Sequence, residues 1–385
     1  MTSYGDSRVV ACRAPADHLI KALEFLRQGR FSEADVALAS PPESTGLTLP
    51  SDQGFQSLLL RAWLEHGRAG LEAALAPLLQ ALVFGRAAGL LDCVLCQAPD
   101  ILASLCAEAL AAGIEPEYVR RLIRHSHLPP PSPTVERWPY PVRVHTLGRP
   151  AIVVEGKPIV FSGKAQRRPL ELLYYLVANG GREVAVARLI GALWPEEDGA
   201  VSRGAFDMAL NRLRRLIKVP DALLLQGGRL SLSDQVCWID RRVLERLLGD
   251  ADGETDLSCA LALLERAVGL YQGDFLQGEE SGWAALARER LRARLMRCIS
   301  RTGERLEEAG RWQEATRLLD RARELFPLDE ELCRRLLHSH IQQGEYVQAS
   351  HLYDRCRELF AKALGVLPSA RTLSLINRLP PRHHA

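Results

Sequence analysis

A chain of 385 residues is too long for one ordinary core and predicts two to four domains of about 100 to 150 residues each. With 47% hydrophobic and 25% charged residues and a mean hydropathy near zero, the balance is that of a globular protein and excludes a disordered or membrane-embedded chain. The formal charge of +2 hides a division: residues 1–141 carry 12 basic and 15 acidic side chains, 142–247 carry 17 and 11, and 248–385 carry 20 and 21. A basic module between near-neutral flanks is the electrostatic footprint of a nucleic-acid binder.

The first fifteen residues, MTSYGDSRVVACRAP, hold no continuous apolar core of the kind a secretory signal needs. Residues 16–127 place Leu and Ala at helical spacing, with breaks expected at Gly29, Pro41-Pro42, Gly67, Gly85 and Gly113, and predict a run of helical hairpins. The longest nearly apolar stretch, Leu71 to Gly85, is shorter than a bilayer span and precedes Arg86, so no membrane contact and a cytoplasmic location are expected. Nine scattered cysteines argue against a disulfide framework, and many sit in apolar helical patterns where Cys packs as a small hydrophobe. Cys93 and Cys96 form a C-x-x-C, followed by Cys106, His125 and His127. These candidates spread over more than 30 residues of helix-like sequence and lack the tight second pair of a zinc motif, so core packing and no metal are expected.

Residues 128–141 run through Leu128-Pro129-Pro130-Pro131-Ser132-Pro133 to Trp138-Pro139-Tyr140-Pro141. Repeated fixed φ angles and missing donors forbid helix, which predicts a stiff linker.

In residues 142–247 the period changes to two. Val142, Val144 and Thr146, then Ala151 to Val154, a turn at Glu155-Gly156, and Pro158 to Phe161 predict short antiparallel strands. A helix from Arg168 stops at Gly180-Gly181, and a second runs from Val186 to Trp194. Ser202 is the expected N-cap of a third, residues 202–218. Leu223 to Gln226, the pair Gly227-Gly228, and Arg229 to Leu232 then predict a hairpin, because two glycines supply positive φ values. Strands, three helices and a terminal hairpin are the order of a winged helix.

At 100° per residue, Phe206, Ala209, Leu210, Leu213, Leu216 and Ile217 share one stripe of the third helix and should face the core. The opposite side then presents Asp207, Met208, Asn211, Arg212, Arg215 and Lys218, with Arg203 and Arg214 on the flanks. Asn and guanidinium groups on one exposed helix suit adenine, guanine and phosphate contacts in a major groove. A solvated basic face is the plainer alternative; the strand-helix-hairpin setting favours DNA. Lys164, Arg167 and Arg168 at the start of the first helix are expected to meet phosphates, as is Arg229 at the wing tip. Trp194 closes an apolar pattern and is expected in the core.

Residues 255–380 are helical again and contain a measurable repeat. Gly310-Arg311-Trp312 with Ala315 recurs as Gly344-Glu345-Tyr346 with Ala349, and Arg323-Glu324-Leu325-Phe326 as Arg357-Glu358-Leu359-Phe360, each offset by 34 residues. That is the tetratricopeptide period. Gly29-Arg30-Phe31 with Ala34 echoes it near the N-terminus. The fold class expected is mainly α, with two helical-repeat regions flanking an α+β winged-helix DNA-binding domain.

The blocks Val142 to Gly148, Phe161 to Arg168, Leu189 to Pro195 and Asn211 to Ile217 resemble, in succession, the OmpR-type winged helix of SARP-like (antibiotic-regulatory) bacterial activators. Ala260 to Leu379 is similar to the bacterial transcriptional activator domain that follows it in those proteins. Ala16 to Tyr140, with Gly113-Ile114-Glu115 and Tyr118 to Arg124, resembles the helical tail of MalT-like regulators. The resemblance implies a sequence-specific DNA-binding transcription regulator, an activator, whose partners are double-stranded DNA and RNA polymerase or another regulator subunit, with self-association open. MalT-like regulators carry an ATPase module. Here Gly156-Lys157 and Gly163-Lys164 lack Walker A spacing, and Ala165 replaces the Mg-binding hydroxyl. Such gating is then expected to be missing or supplied by another chain. With no H-E-x-x-H or G-x-S-x-G pattern, neither catalysis nor a cofactor is expected. The alternative from another class is a protein-binding helical-repeat scaffold or signalling adaptor without specific DNA binding.

Overall fold

The computed structural model describes residues 17–39, 51–159, 167–196 and 199–377. Pro41-Pro42, Cys12, Lys164 and the end of the strand predicted to Phe161 lie outside them. The chain forms two compact units that divide between Tyr140 and Pro141.

The first unit comprises α1 (Asp17–Arg27), α2 (Phe31–Ala39), α3 (Ser51–Ala69), α4 (Leu71–Ala88), a single 3-10 turn (Val94–Gln97), α5 (Pro99–Ala112) and α6 (Pro116–His125). Pro99 and Pro116 open their helices, where a missing N–H costs nothing. Gly113 ends α5 at φ +73. Two of the expected breaks are helix interior instead. Gly67 lies in α3, where a Cβ would collide with the Phe31 ring, and Gly85 lies in α4, where a Cβ would collide with the Tyr118 hydroxyl and Phe55 ring. These glycines allow close helix approach and leave the helices continuous. For the same reason the apolar stretch extends past Gly85: α4 is 18 residues long, and among the described residues it alone is long and apolar enough to cross a membrane. It packs along α3. The proline-rich segment is folded rather than free, with Trp138 buried and Arg137 donating to the carbonyls of Leu110 and Ala111, each at 3.1 Å.

The second unit starts with a sheet of order β3-β2-β1-β7, built from β1 (Val142–His145), β2 (Ala151–Val154), β3 (Lys157–Pro158) and β7 (Cys237–Ile239). β1 and β2 are antiparallel, with Val142 opposite Val154 and His145 opposite Ala151. β7 pairs with β1 in parallel, so the two ends of this region meet. Val142 and Val144 are buried while Arg143 and His145 are half-buried, as the period of two requires. Between β3 and β7 come α7 (Arg167–Ala178), β4 (Val184–Ala185), α8 (Val186–Leu193), α9 (Gly199–Ile217), β5 (Leu223–Gln226) and β6 (Arg229–Leu232). The last two pair antiparallel, and β4 joins the other edge of β6. Gly227 and Gly228 turn the hairpin at φ +55 and +70.

α10 (Asp240–Gly253) runs past residue 247 without a break and packs on α11 (Leu257–Leu270). α12 (Gly282–Glu308), α13 (Trp312–Leu325), α14 (Glu330–Gln342), α15 (Tyr346–Leu364) and α16 (Ala370–Ile376) follow. The Trp312 and Tyr346 starts repeat at the spacing seen in the sequence, and Ala315 and Ala349 are fully buried where successive helices meet. Asp256 caps α11 by accepting from Cys259 N at 2.8 Å. The cysteines are not uniformly packed free thiols: Cys96 and Cys259 are exposed, and a disulfide joins Cys333 of α14 to Cys356 of α15. The fold class is mainly α, with helical regions flanking an α+β winged-helix region.

Candidate nucleic-acid interface

α9 begins earlier than its sequence suggests. Ser202 is buried in the first turn and its Oγ donates back to the Gly199 carbonyl at 3.2 Å, so it serves the helix interior and cannot be the N-cap. Lys218 leaves the helix at φ +55. The apolar stripe turns inward: Phe206, Ala209, Leu210, Leu213 and Ile217 are buried and Leu216 is half-buried. They pack toward α7, whose Leu172, Leu173 and Leu176 are buried, and α8, where Leu189 is buried. Burying Phe206, Leu210, Leu213 and Ile217 at about 1.5 to 3 kcal/mol each, with Ala209 and the half-buried Leu216 beside them, fixes the rotation of the helix, and that rotation exposes Asn211, Arg212, Arg214, Arg215 and Lys218.

Asn211, Arg214, Arg215 and Lys218 line one shallow concavity. Arg214 also donates to the Leu223 carbonyl at 3.2 Å, tying α9 to the hairpin. Among the described residues, Asn211, Arg212, Arg215 and Lys218 have no side-chain partner. Arg203 instead pairs with Asp207 at 3.3 Å and lies over the Phe206 ring. At the hairpin tip Arg229 is exposed and reaches the Glu183 carbonyl at 2.9 Å.

Arg167 and Arg168 are tied to α7 itself and to the end of α8. Both hold Glu171 at 2.8 Å, and Arg168 also donates to the Leu193 carbonyl at 3.1 Å. Glu171 raises the Arg167 pKa. The two arginines face a cavity of about 990 Å³ shared with Trp194, Glu279 and Trp283. Trp194 itself is buried. Sequence reasoning passed over Arg188, which is exposed on α8 opposite the buried Val186, Leu189 and Leu193; the same helical phase would have found it. Among the described residues no three His, Cys, Asp or Glu side chains are grouped to hold a metal ion. His125 bonds Asp92 at 2.8 Å instead.

Three curated relatives, each named transcriptional regulatory protein EmbR, one from Mycobacterium bovis and two from Mycobacterium tuberculosis strains, are 32% identical over 110 residues. That match covers 27% of this chain and spans only 28% of the relatives' length. A solved structure, Mycobacterium tuberculosis EmbR in complex with a low-affinity phosphopeptide, aligns at 23% identity with a TM-score of 0.43, covering 62% of this chain and 65% of that one. From Ile239, at the end of β7, through α10 to α16, residues 239–379 match the family described as the bacterial transcriptional activator domain.

Proposed function

We propose that the chain is a sequence-specific transcription regulator, an activator, that inserts α9 into the major groove of double-stranded DNA and contacts RNA polymerase or another regulator subunit through its helical repeats. One observation carries this: packing fixes α9 so that Asn211, Arg212, Arg215 and Lys218 project together from one exposed face, with no carboxylate among the described residues paired to them. Arg and Asn are the side chains whose paired donors and acceptors match guanine and adenine edges. The hairpin with Arg229 stands beside this face as an OmpR-type wing would, and Arg203, with Asp207, extends it toward the start of the helix. The 34-residue repeat is of tetratricopeptide type in this reading, a construction that stacks hairpins into an extended protein-binding surface. The match to an activator domain over residues 239–379 and the regulatory relatives over 110 residues favour the same reading.

The direct test is a mobility-shift titration of the whole chain with duplexes selected from a randomised pool. A defined sequence should be enriched, and affinity for it should fall with salt at a log-log slope of about −0.9 per phosphate neutralised. If no sequence is enriched and no duplex binds at low salt, the chain is a protein-binding scaffold and the proposal fails.

A further inference from the structure

The connection from α4 to α5 brings two thiols together in the first unit. α4 ends at Gly89 in the left-handed region, the Tyr118 hydroxyl holds the Leu90 carbonyl, and the chain closes into the 3-10 turn with Cys96 N donating to the Cys93 carbonyl at 3.0 Å. Arg27 secures the far side of the turn through the Gln97 carbonyl at 3.1 Å. The two sulfurs are thereby 3.8 Å apart. Cys93 is buried, Cys96 is exposed, and the Ser126 hydroxyl at the end of α6 lies 3.6 Å from the Cys96 sulfur. We propose that Cys93 and Cys96 form a redox-modification site at which a hydroperoxide oxidises Cys96 and Cys93 closes a disulfide.

The neighbours assign the roles. Donation from the Cys93 thiol, aided by Ser126, outweighs partial burial and lowers the Cys96 thiol to about 6. Cys93, as the donor and as a buried group, is raised. Cys259, the other exposed thiol among the described residues, is held protonated by Asp256 beside it. Cys106 is buried in α5 and raised by desolvation. Exposure, thiolate character and a second sulfur in reach therefore coincide at Cys96, the combination that directs oxidation.

The Cys96 thiolate attacks the terminal oxygen of the hydroperoxide. The O–O bond breaks, the leaving oxygen takes from solvent the proton that Cys96 gave up and departs as an alcohol (water, for hydrogen peroxide), and Cys96 becomes a sulfenic acid. The Cys93 sulfur then attacks the Cys96 sulfur, the S–O bond breaks, and water leaves with the Cys93 proton. Two thiols lose two electrons and the peroxide gains them. The sulfurs need to close from 3.8 Å to about 2.05 Å, a movement that one turn can absorb.

The test uses the reduced full chain, treated with hydrogen peroxide, denatured, labelled with maleimide and cut with trypsin. The peptide 87–120 contains Cys93, Cys96 and Cys106. It should lose two hydrogens and accept one label, at Cys106, with three labels returning after reduction. Cys96 should react about three- to tenfold faster than Cys259 at neutral pH. Cys93→Ser should stop at a sulfenic acid that dimedone traps on Cys96, and Cys96→Ser should leave Cys93 reduced. Three labels after peroxide, or equal rates at Cys96 and Cys259, overturns the proposal. The wild-type peptide decides this even if a variant fails to fold.

Discussion

Arg242 shows how far a single side chain can depart from what its type suggests. It is 8% exposed, donates to the carbonyls of Gly180, Gly181 and Leu232 at 3.3, 2.8 and 3.0 Å, and pairs with Asp234. One guanidinium thus stitches the end of α7, the wing and α10 together. Desolvation lowers its pKa, yet it stays charged because Arg titrates so far above neutrality. A Cβ on Gly181, which sits at φ +70, would come within 2.7 Å of Arg242 Nη2. Arg242→Ala removes the guanidinium donor from three carbonyls, of which that of Gly181 keeps Leu232 N at 2.8 Å, and Gly181→Ala displaces the guanidinium, so each should lower stability by about 2 to 4 kcal/mol in urea titrations. A loss below about 0.5 kcal/mol for both would show that the network is dispensable. Nothing in the sequence marks Arg242. It entered the charge count as one more basic residue, and with the buried Arg241 it belongs to the scaffold, so the surface share of the basic surplus is smaller than the count implies.

At the scale of elements, α9 was legible because burial has a strong period: six apolar residues at helical phase leave one rotation open. Its start was not, since Ser202 is equally suited to cap a helix or to bond its own first turn. β7 left no signal either. Three residues, Cys237 to Ile239, are too few to show alternation, and only their parallel pairing with β1 makes them a strand. Gly67 and Gly85 misled for a related reason, because a glycine demanded by a neighbouring ring looks in sequence like one demanded by a turn. The wing turn was readable in full: both glycines have positive φ, which costs a residue with a Cβ about 1 to 2 kcal/mol. Gly227→Ala and Gly228→Ala should each lower the thermal midpoint accordingly, whereas Gly227→Asn should be nearly neutral. Equal loss for Ala and Asn would show that the turn responds to bulk rather than to backbone angle.

Across the second unit, the winged helix and the repeats are joined by more than chain continuity. Leu276 N donates to the Thr146 carbonyl at 2.7 Å, Gly148 N to Asp274 at 3.1 Å, and Gln277 N to Gly148 at 3.0 Å. Arg288 of α12 holds the carbonyls of Phe275, Leu276 and Glu279, each at 3.0 Å. Periodicity finds helices and strands, but the three backbone bonds link irregular segments over 100 residues apart in sequence, so the junction could not be read in advance. The surface of α9 is therefore best probed by point changes within the whole chain, which leave this junction untouched. The central claim, that α9 reads base edges, is tested most directly by titrating the selected duplex and a scrambled one with Asn211→Ala, Arg215→Ala, Arg212→Ala and Arg229→Ala. Asn211→Ala and Arg215→Ala should each cost about 1 to 3 kcal/mol on the selected duplex alone and relax its preference. Arg212→Ala should weaken both duplexes alike and reduce the salt slope by about one. If Asn211→Ala and Arg215→Ala keep both affinity and preference while Arg229→Ala abolishes them, the wing does the reading and the account of α9 is wrong.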